Sequence, residues 1–202
     1  MHSFSAKKSI AEAIGTFLLA FGVGLTVAVQ NFPLPTILVA GLILGVVVYT
    51  IGNVSGAQIN PAVTVGLWSV KKIAAPQAIA NILAQLLAGF IAYICLQALH
   101  APLAPATDTV LSALGEVLGA FVLVWGIAAV VFGKVQPAAA GLTIGGSLML
   151  GIVVASFGSL GVLNPAVALG VGAWNFVYFL APLLGGILGA QLYKWIIDEK
   201  SA

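Results

Sequence analysis

The tripeptide Asn-Pro-Ala stands twice in this chain, at Asn60-Pro61-Ala62 and at Asn164-Pro165-Ala166, 104 residues apart in a chain of 202. Each copy lies in long apolar sequence and opens onto a short apolar stretch with few charges. Asn is a favoured N-cap, because its side-chain oxygen takes one of the orphan N–H groups of a helix start. Pro is favoured at the first helical position, where its missing N–H costs nothing. Each copy therefore predicts the start of a short helix. The same offset of 104 relates Glu12 to Glu116, Gly15 to Gly119, Phe17 to Phe121, Gly22 to Gly126, Gly41 to Gly145, Ser55 to Ser159, Val63 to Val167 and Gly66 to Gly170. Glycine matches arise by chance when there are 24 of them, but a glutamate match among five acidic residues does not arise easily. The chain reads as one domain, residues 1–202, made of two copies of one unit, about 1–100 and about 105–202.

Composition decides the solvent. Charged residues make up 6% and hydrophobic residues 61%, against about 25% charged in ordinary soluble domains. Such a chain cannot cover itself with polar surface and belongs in a bilayer. Six stretches reach the length of roughly 20 apolar residues that a span needs: about Ile10–Val29, Thr36–Ile51, Ala78–Leu99, Val110–Phe132, Ala138–Val154 and Phe179–Ile197. Ile10–Val29 has the apolar character of a signal segment, but it is long enough to span and carries Glu12, so it reads as a retained first helix. Two apolar pieces remain, Asn60–Val70 and Asn164–Ala173, each too short to cross. They read as half-helices that enter the membrane and stop, with the irregular backbone before each Asn buried or facing a wet cavity. The expected fold is an all-α membrane protein of six spanning helices and two re-entrant half-helices.

All seven basic residues are Lys: Lys7, Lys8, Lys71, Lys72, Lys134, Lys194 and Lys200. With six spans they fall on one side, and the opposite loops (30–35, 100–109 and 158–175) carry none. The positive-inside rule then puts both termini in the cytoplasm. Three spans per unit force the two units to insert with opposite topology. Inverted repeats with broken helices place their functional site near the midplane, at the repeat interface.

Two half-helices that enter from opposite faces meet by their N-termini, each carrying roughly half a positive charge. Each Asn can cap its own helix through its oxygen and leave its amide NH2 pointing inward. Two donors on one wall and apolar surface elsewhere suit an uncharged solute with an acceptor oxygen, such as water. They suit a cation badly, and positive half-helix ends also hinder proton relay. Plain N-capping without a pore role is the alternative for Asn60 and Asn164. Glu12 and Glu116 are costly inside lipid and mark function or a built scaffold. Either they relay protons, or each carboxylate accepts N–H groups from the bent loop before a half-helix. Symmetric placement favours the scaffold role, and Gln58 and Gln85 fit similar polar joints. Cys95 lies in an apolar run and makes no intrachain disulfide. His100 reads as solvated, and Trp174, Tyr178 and Trp195 read as interface anchors.

The run Ser55-Gly56-Ala57-Gln58-Ile59-Asn60-Pro61-Ala62-Val63-Thr64 resembles the first signature of the aquaporin, or major intrinsic protein, family. Ala11-Glu12 with Gly15-Thr16-Phe17 resembles its first helix, and Gly161-Val162-Leu163-Asn164-Pro165-Ala166 its second signature. The resemblance covers essentially the whole chain. It implies six spans, two half-helices, one pore per subunit and a homotetramer in a plasma or inner membrane. The family normally has Arg after the second Asn-Pro-Ala, at the narrow outer ring of the pore; here Val167 stands there. By the same resemblance the rest of that ring falls on Ala40, Ile152 and Gly161, so the ring is expected to be small in side chain, apolar and uncharged. Glycerol-conducting members usually show Asp one position further on, where this chain has Ala168. Gln58 replaces a frequent His.

The expected function is a passive channel for water and small uncharged solutes, or chiefly for larger neutral ones such as glycerol, urea, ammonia or metalloid hydroxides of arsenic or boron. A secondary transporter shares broken helices and inverted repeats, and would need a coupling-ion site. A closed, structural membrane protein is a further alternative. Neither His2 nor His100 sits with a nucleophile or a metal-ligand cluster, so an enzyme is not expected. No cofactor, metal or nucleic-acid partner is called for.

Overall fold

The computed structural model describes residues 4–102 and 104–198. Eight α-helices follow one another among them: α1 Ala6–Ala28, α2 Thr36–Ser55, α3 Pro61–Ser69, α4 Ala75–Ala98, α5 Val110–Val131, α6 Ala140–Ala155, α7 Pro165–Val171 and α8 Phe176–Ile197. A 3-10 turn, Pro137–Ala139, leads into α6. Six segments have the length and hydropathy of membrane spans: α1, α2, α4, α5, α8, and α6 together with the turn that leads into it, Pro137–Ala155. At 1.5 Å per residue, the 9 residues of α3 and the 7 of α7 reach only about 13 Å and about 10 Å, less than half of a hydrocarbon core of about 30 Å.

Several ends differ from the apolar runs. α1 begins four residues before Ile10, because Lys7 and Lys8 extend the helix without entering the apolar stretch. α2 continues past Ile51 to Ser55 and stops at Gly56, whose φ of 95° is a left-handed cap. α4 starts with Pro in its first turn, and α5 with a reciprocal Thr109–Ser112 capping box. These are local termination signals that hydropathy alone does not carry.

The long helices turn apolar side chains outward all around, among them Leu42, Leu83, Leu142, Leu180 and Phe176. Such a surface is stable only in lipid, and the protein is an integral, multi-pass membrane protein. Inside, α1 packs on α2 and α4, α5 on α6 and α8, and α2 on α6. Each half-helix packs against the third span of the other half: α3 against α8, and α7 against α4. Both contacts are closed by a glycine. A Cβ on Gly89 of α4 would lie 2.1 Å from the Ala166 carbonyl oxygen, and one on Gly186 of α8 would lie 2.4 Å from that of Ala62. Ala62 and Ala166 are 104 apart, whereas Gly89 and Gly186 are 97 apart. The offset seen in the sequence thus holds through the half-helices and shortens by seven residues in the third span, where α7 and the start of α8 are trimmed.

The side chains read as interface anchors divide. Trp195 is 75% exposed, and Trp174 is exposed and donates from Nε1 to the Leu169 carbonyl at 3.0 Å. Tyr178 is fully buried, which corrects its reading as an anchor. Its hydroxyl accepts a hydrogen bond from the Leu160 N–H at 3.3 Å, so it supports the loop before α7 rather than facing the membrane surface. His100 is exposed and Cys95 half-buried.

Candidate functional site

The two half-helices meet at their N-termini. Asn60 Oδ1 accepts from the Ala62 N–H at 2.8 Å, and Asn164 Oδ1 accepts from Ala166 and Val167 N–H at 2.9 and 3.3 Å. Their amide NH2 groups are not wholly free, contrary to the expectation from the sequence. Asn60 Nδ2 donates to the Leu163 carbonyl at 2.9 Å, and Asn164 Nδ2 to the Ile59 carbonyl at 3.0 Å. Each Asn thus closes on the backbone just before the other, and one N–H per amide is left over. Ile59 and Leu163 are left-handed, with φ of 40° and 56°, a conformation that costs a bulky residue about 1–3 kcal/mol. The cost is sustained by what holds these loops.

That support comes from the two buried glutamates. Glu12 accepts from the N–H of Gln58 at 3.0 Å, the N–H of Ile59 at 2.5 Å and Gln85 Nε2 at 2.9 Å. Glu116 accepts from the N–H of Val162 at 2.9 Å, the N–H of Leu163 at 2.6 Å and the Ser159 hydroxyl. The serines repeat as well: Ser55 Oγ accepts from Ala57 N–H at 3.0 Å and Ser159 Oγ from Gly161 N–H at 2.9 Å. A carboxylate is tolerable in an apolar interior only when its oxygens are fully engaged, and these are. Replacing Glu12 by Gln puts an NH2 against one of two backbone donors. We expect a loss of about 3 kcal/mol, read as a lower melting temperature of the purified protein in detergent. An unchanged melting temperature would show that the carboxylate does not hold the loop.

Around the first loop the support widens into a buried network that has no counterpart among the described residues of the second half. Asn81 Nδ2 donates to Gln58 Oε1 at 2.9 Å, Gln77 Nε2 donates to Asn81 Oδ1 at 2.7 Å, and Gln77 Oε1 accepts from the Ser5 N–H at 2.7 Å. Thr64 and Gln85 close it on the other side, with Gln85 Nε2 donating to Thr64 Oγ1 at 2.9 Å. Among the described residues no buried side-chain nitrogen or oxygen lacks a partner. Asn81 and Gln77 were not singled out from the sequence; three amide side chains at four-residue spacing (77, 81, 85) along an apolar helix were the available signal.

Beside the Asn pair lies a cavity of about 240 Å³. Ala40, Ile152, Gly161 and Val167 all line it, together with Asn60, Asn164 and Gln58. Apart from Thr36 at its mouth and these three amides, its lining side chains are apolar, and none is charged. Ala104 and Pro105 also line it, and the Ala104 N–H donates to the Val171 carbonyl at 2.9 Å, tying the 100–109 loop to the end of α7. Nothing in Ala and Pro announces a cavity wall in the sequence. The carbonyl oxygens of Ala57, Gln58, Gly161 and Val162 accept no hydrogen bond from the described residues.

Six spans enclosing two half-helices that meet head to head beside an internal cavity define a helical membrane channel. The model of the Major intrinsic protein family matches residues 1–193, and the chain belongs to that family. Aquaporin AqpM of Methanothermobacter marburgensis is 31% identical over 246 residues, covering 96% of this chain and 98% of that one. That alignment is longer than the 202 residues of the present chain, so it opens gaps in this chain. Nodulin-26 of Glycine max is 32% identical over 210 residues, covering 93% of this chain and 77% of its own. The X-ray structure of the aquaglyceroporin from Plasmodium falciparum superposes with a TM-score of 0.71 at 22% identity and 96% coverage of both chains, a likeness of fold.

Proposed function

We propose that this protein is a passive channel for water and small uncharged solutes, with an outer ring made of Ala40, Ile152, Gly161 and Val167. One observation carries the reading: these four residues line the same cavity as Asn60 and Asn164, with no charged side chain on its wall. The pore signatures in this reading are Asn60-Pro61-Ala62 and Asn164-Pro165-Ala166, with Glu12, Glu116 and Gln58 supporting the loops. The leftover amide N–H of each Asn orients an acceptor oxygen, and the positive ends of α3 and α7 repel cations. The small side chains of Ala40, Gly161 and Val167 favour a second form of the reading, in which larger neutral solutes such as glycerol, urea, ammonia or metalloid hydroxides are the main cargo. Carboxylate oxygens already committed to loop N–H groups leave no coupling-ion site at Glu12 or Glu116, which weighs against a secondary transporter.

The single domain of two inverted units, the homotetramer, the cytoplasmic termini and the plasma or inner membrane belong to the same proposal. The orientation rests on Lys7, Lys8, Lys71, Lys72, Lys134 and Lys194, which follow or precede helices on one side of a six-span topology; Lys200 lies outside the described residues.

Stopped-flow light scattering on proteoliposomes tests the function, comparing water with glycerol and urea. Water flux alone assigns a tight ring, and flux of all three assigns an open one. No flux of any of them overturns the water-channel reading and leaves a channel for ammonia or metalloid hydroxides, a closed pore, or the transporter. The donor role has its own test. Replacing Asn60 and Asn164 together by Asp turns both reciprocal donors into acceptors and adds negative charge. Cation current across a planar bilayer is expected to appear where the unaltered protein passes none, and unchanged currents would count against the role given to the two amides.

A further inference from the structure

The two half-helices end in the same way. After α3 the Lys72 N–H donates to the Leu67 carbonyl and the Lys71 N–H to that of Trp68. After α7 the Ala173 N–H donates to the Ala168 carbonyl and the Gly172 N–H to that of Leu169. The equivalent residues Lys71 and Gly172 are both left-handed, with φ of 64° and 77°. Glycine takes this position without strain and is the usual choice for it. The first half puts a lysine there instead. A cation at a helix C-terminus is favourable, but Lys72 follows at once and supplies one, and α7 ends with no basic residue beside it. The helix end alone does not account for Lys71. Val70 is buried, whereas Lys71 and Lys72 are both exposed. With Trp68, Ile73 and Ala74 the two lysines line a crevice of about 410 Å³. Lys72 is already ordered in it, with Nζ 4.1 Å from the centroid of the Phe132 ring, a cation–π contact. Neither ammonium meets a carboxylate among the described residues, where the one ion pair joins Lys194 to Asp198.

We infer that this crevice binds the headgroup of an anionic phospholipid, with the Lys71 and Lys72 ammonium groups on its phosphate. The inference goes beyond the channel reading. It needs no conduction, and takes from that reading only the topology that sets these lysines at one membrane surface. A phosphodiester brings one negative charge and two unesterified oxygens, enough to receive a hydrogen bond from each lysine. Charge alone would suit a free phosphate equally well. The rest of the wall decides between them. Trp68 is 45% exposed, and Ile73 beside it is half-buried. An indole at the membrane–water boundary settles at headgroup level, with its ring in apolar surroundings and its N–H wet. A crevice that is cationic on one wall and apolar on the other matches a molecule that is anionic at one end and apolar at the other. A free phosphate gains nothing from Trp68 or Ile73. Lysines at a membrane surface are drawn to anionic lipid in any case. Here two of them are gathered in one crevice, one pinned on a ring and one held in a backbone conformation that glycine would relax.

Melting of the purified protein in detergent, with phosphatidylglycerol or phosphatidylcholine added, tests it, and native mass spectrometry counts the lipids retained. Phosphatidylglycerol is expected to raise the melting temperature. Phosphatidylcholine, whose choline cancels the phosphate charge, is not. Lys71→Gly should weaken phosphatidylglycerol binding by about fivefold or more, the weight of one lysine near an anionic surface. Without lipid its melting temperature should hold or rise, because glycine relaxes the left-handed backbone. Lost binding with undiminished stability is not produced by a folding defect. Lys72→Gln should lose binding to a similar extent. Lys134→Gln removes an exposed lysine that does not line the crevice, and should bind as the unaltered protein does. Equal loss in Lys134→Gln would make the attraction a property of the whole face and overturn the site. The same stabilisation by millimolar inorganic phosphate would make the crevice a free-phosphate site and overturn the lipid. A change of oligomer mass in Lys71→Gly would give the crevice to a second copy of the chain. No stabilisation by phosphatidylglycerol overturns the inference outright. Water flux in vesicles of phosphatidylcholine alone reads the channel separately, so that either reading can fail while the other stands.

Discussion

Alanine at position 89 is expected to disable the protein, although it adds a single methyl group. The Cβ of Gly89→Ala would stand 2.1 Å from the Ala166 carbonyl oxygen and 3.0 Å from its carbon. Both are backbone atoms, so no rotamer change relieves the overlap. α4 and α7 must separate, and α7 carries the Asn164 cap and the bond from Asn164 Nδ2 to Ile59. Overpacking of this kind costs about 3 kcal/mol or more, or roughly 6–12 °C in melting temperature for a chain of this size. Flux should fall with it. Gly146→Ala is the contrast, since nothing lies within 4 Å of the added carbon. There alanine should stabilise by about 0.5–1 kcal/mol, through the helix preference alone. Equal melting temperatures for the two variants would show that the close approach of α4 to α7 is not under tension.

Arginine at position 167 is expected to convert the cargo profile. Val167 is buried on the wall of the 240 Å³ cavity, at the start of α7, where its N–H is already taken by Asn164. Val167→Arg fills part of that space with a long side chain and brings a cation beside the positive end of α7. No carboxylate lines the cavity to receive it. The guanidinium must therefore stay solvated within the pore and narrow it. Glycerol and urea flux should fall by about tenfold or more, which corresponds to roughly 1.4 kcal/mol on the barrier, with water affected far less. The ratio of glycerol to water flux in the same vesicles reads the effect. A ratio left unaltered would place the ring elsewhere.

Much of the fold was legible because lipid imposes few solutions. Apolar runs near 20 residues long give spans, and two runs half that length, each introduced by Asn-Pro, give the half-helices. The positions of Glu12 and Glu116 pointed to loop support, because a paired intramembrane acid needs donors, and the only irregular backbone available was the segment before each Asn. What escaped was side-chain pairing between distant segments. Asn60 reaches Leu163, and Ser5 reaches Gln77, across sequence separations that no local periodicity records. Tyr178 was misread because a tyrosine near a span end is commonly an anchor; here α8 begins further inward than α4 does by repeat alignment, and the same position falls inside. The helix side of the cavity wall was hidden for a different reason: Leu, Val and Ile in an apolar helix carry no mark of which face meets a cavity.

The reciprocal bonds of the two Asn side chains bear on how the molecule is assembled. Neither half contains the acceptor for its own amide: Asn60 needs the carbonyl of Leu163, and Asn164 that of Ile59. A first half that inserts ahead of the second has its short helix capped by its own Asn60 oxygen, but the amide NH2 stays without its acceptor until the second arrives. Severed at the 100–109 connection and co-expressed, the two fragments should still find each other, since each supplies what the other is missing. Expressed singly, either fragment is expected to be less stable than the pair, because its Asn amide has lost its acceptor.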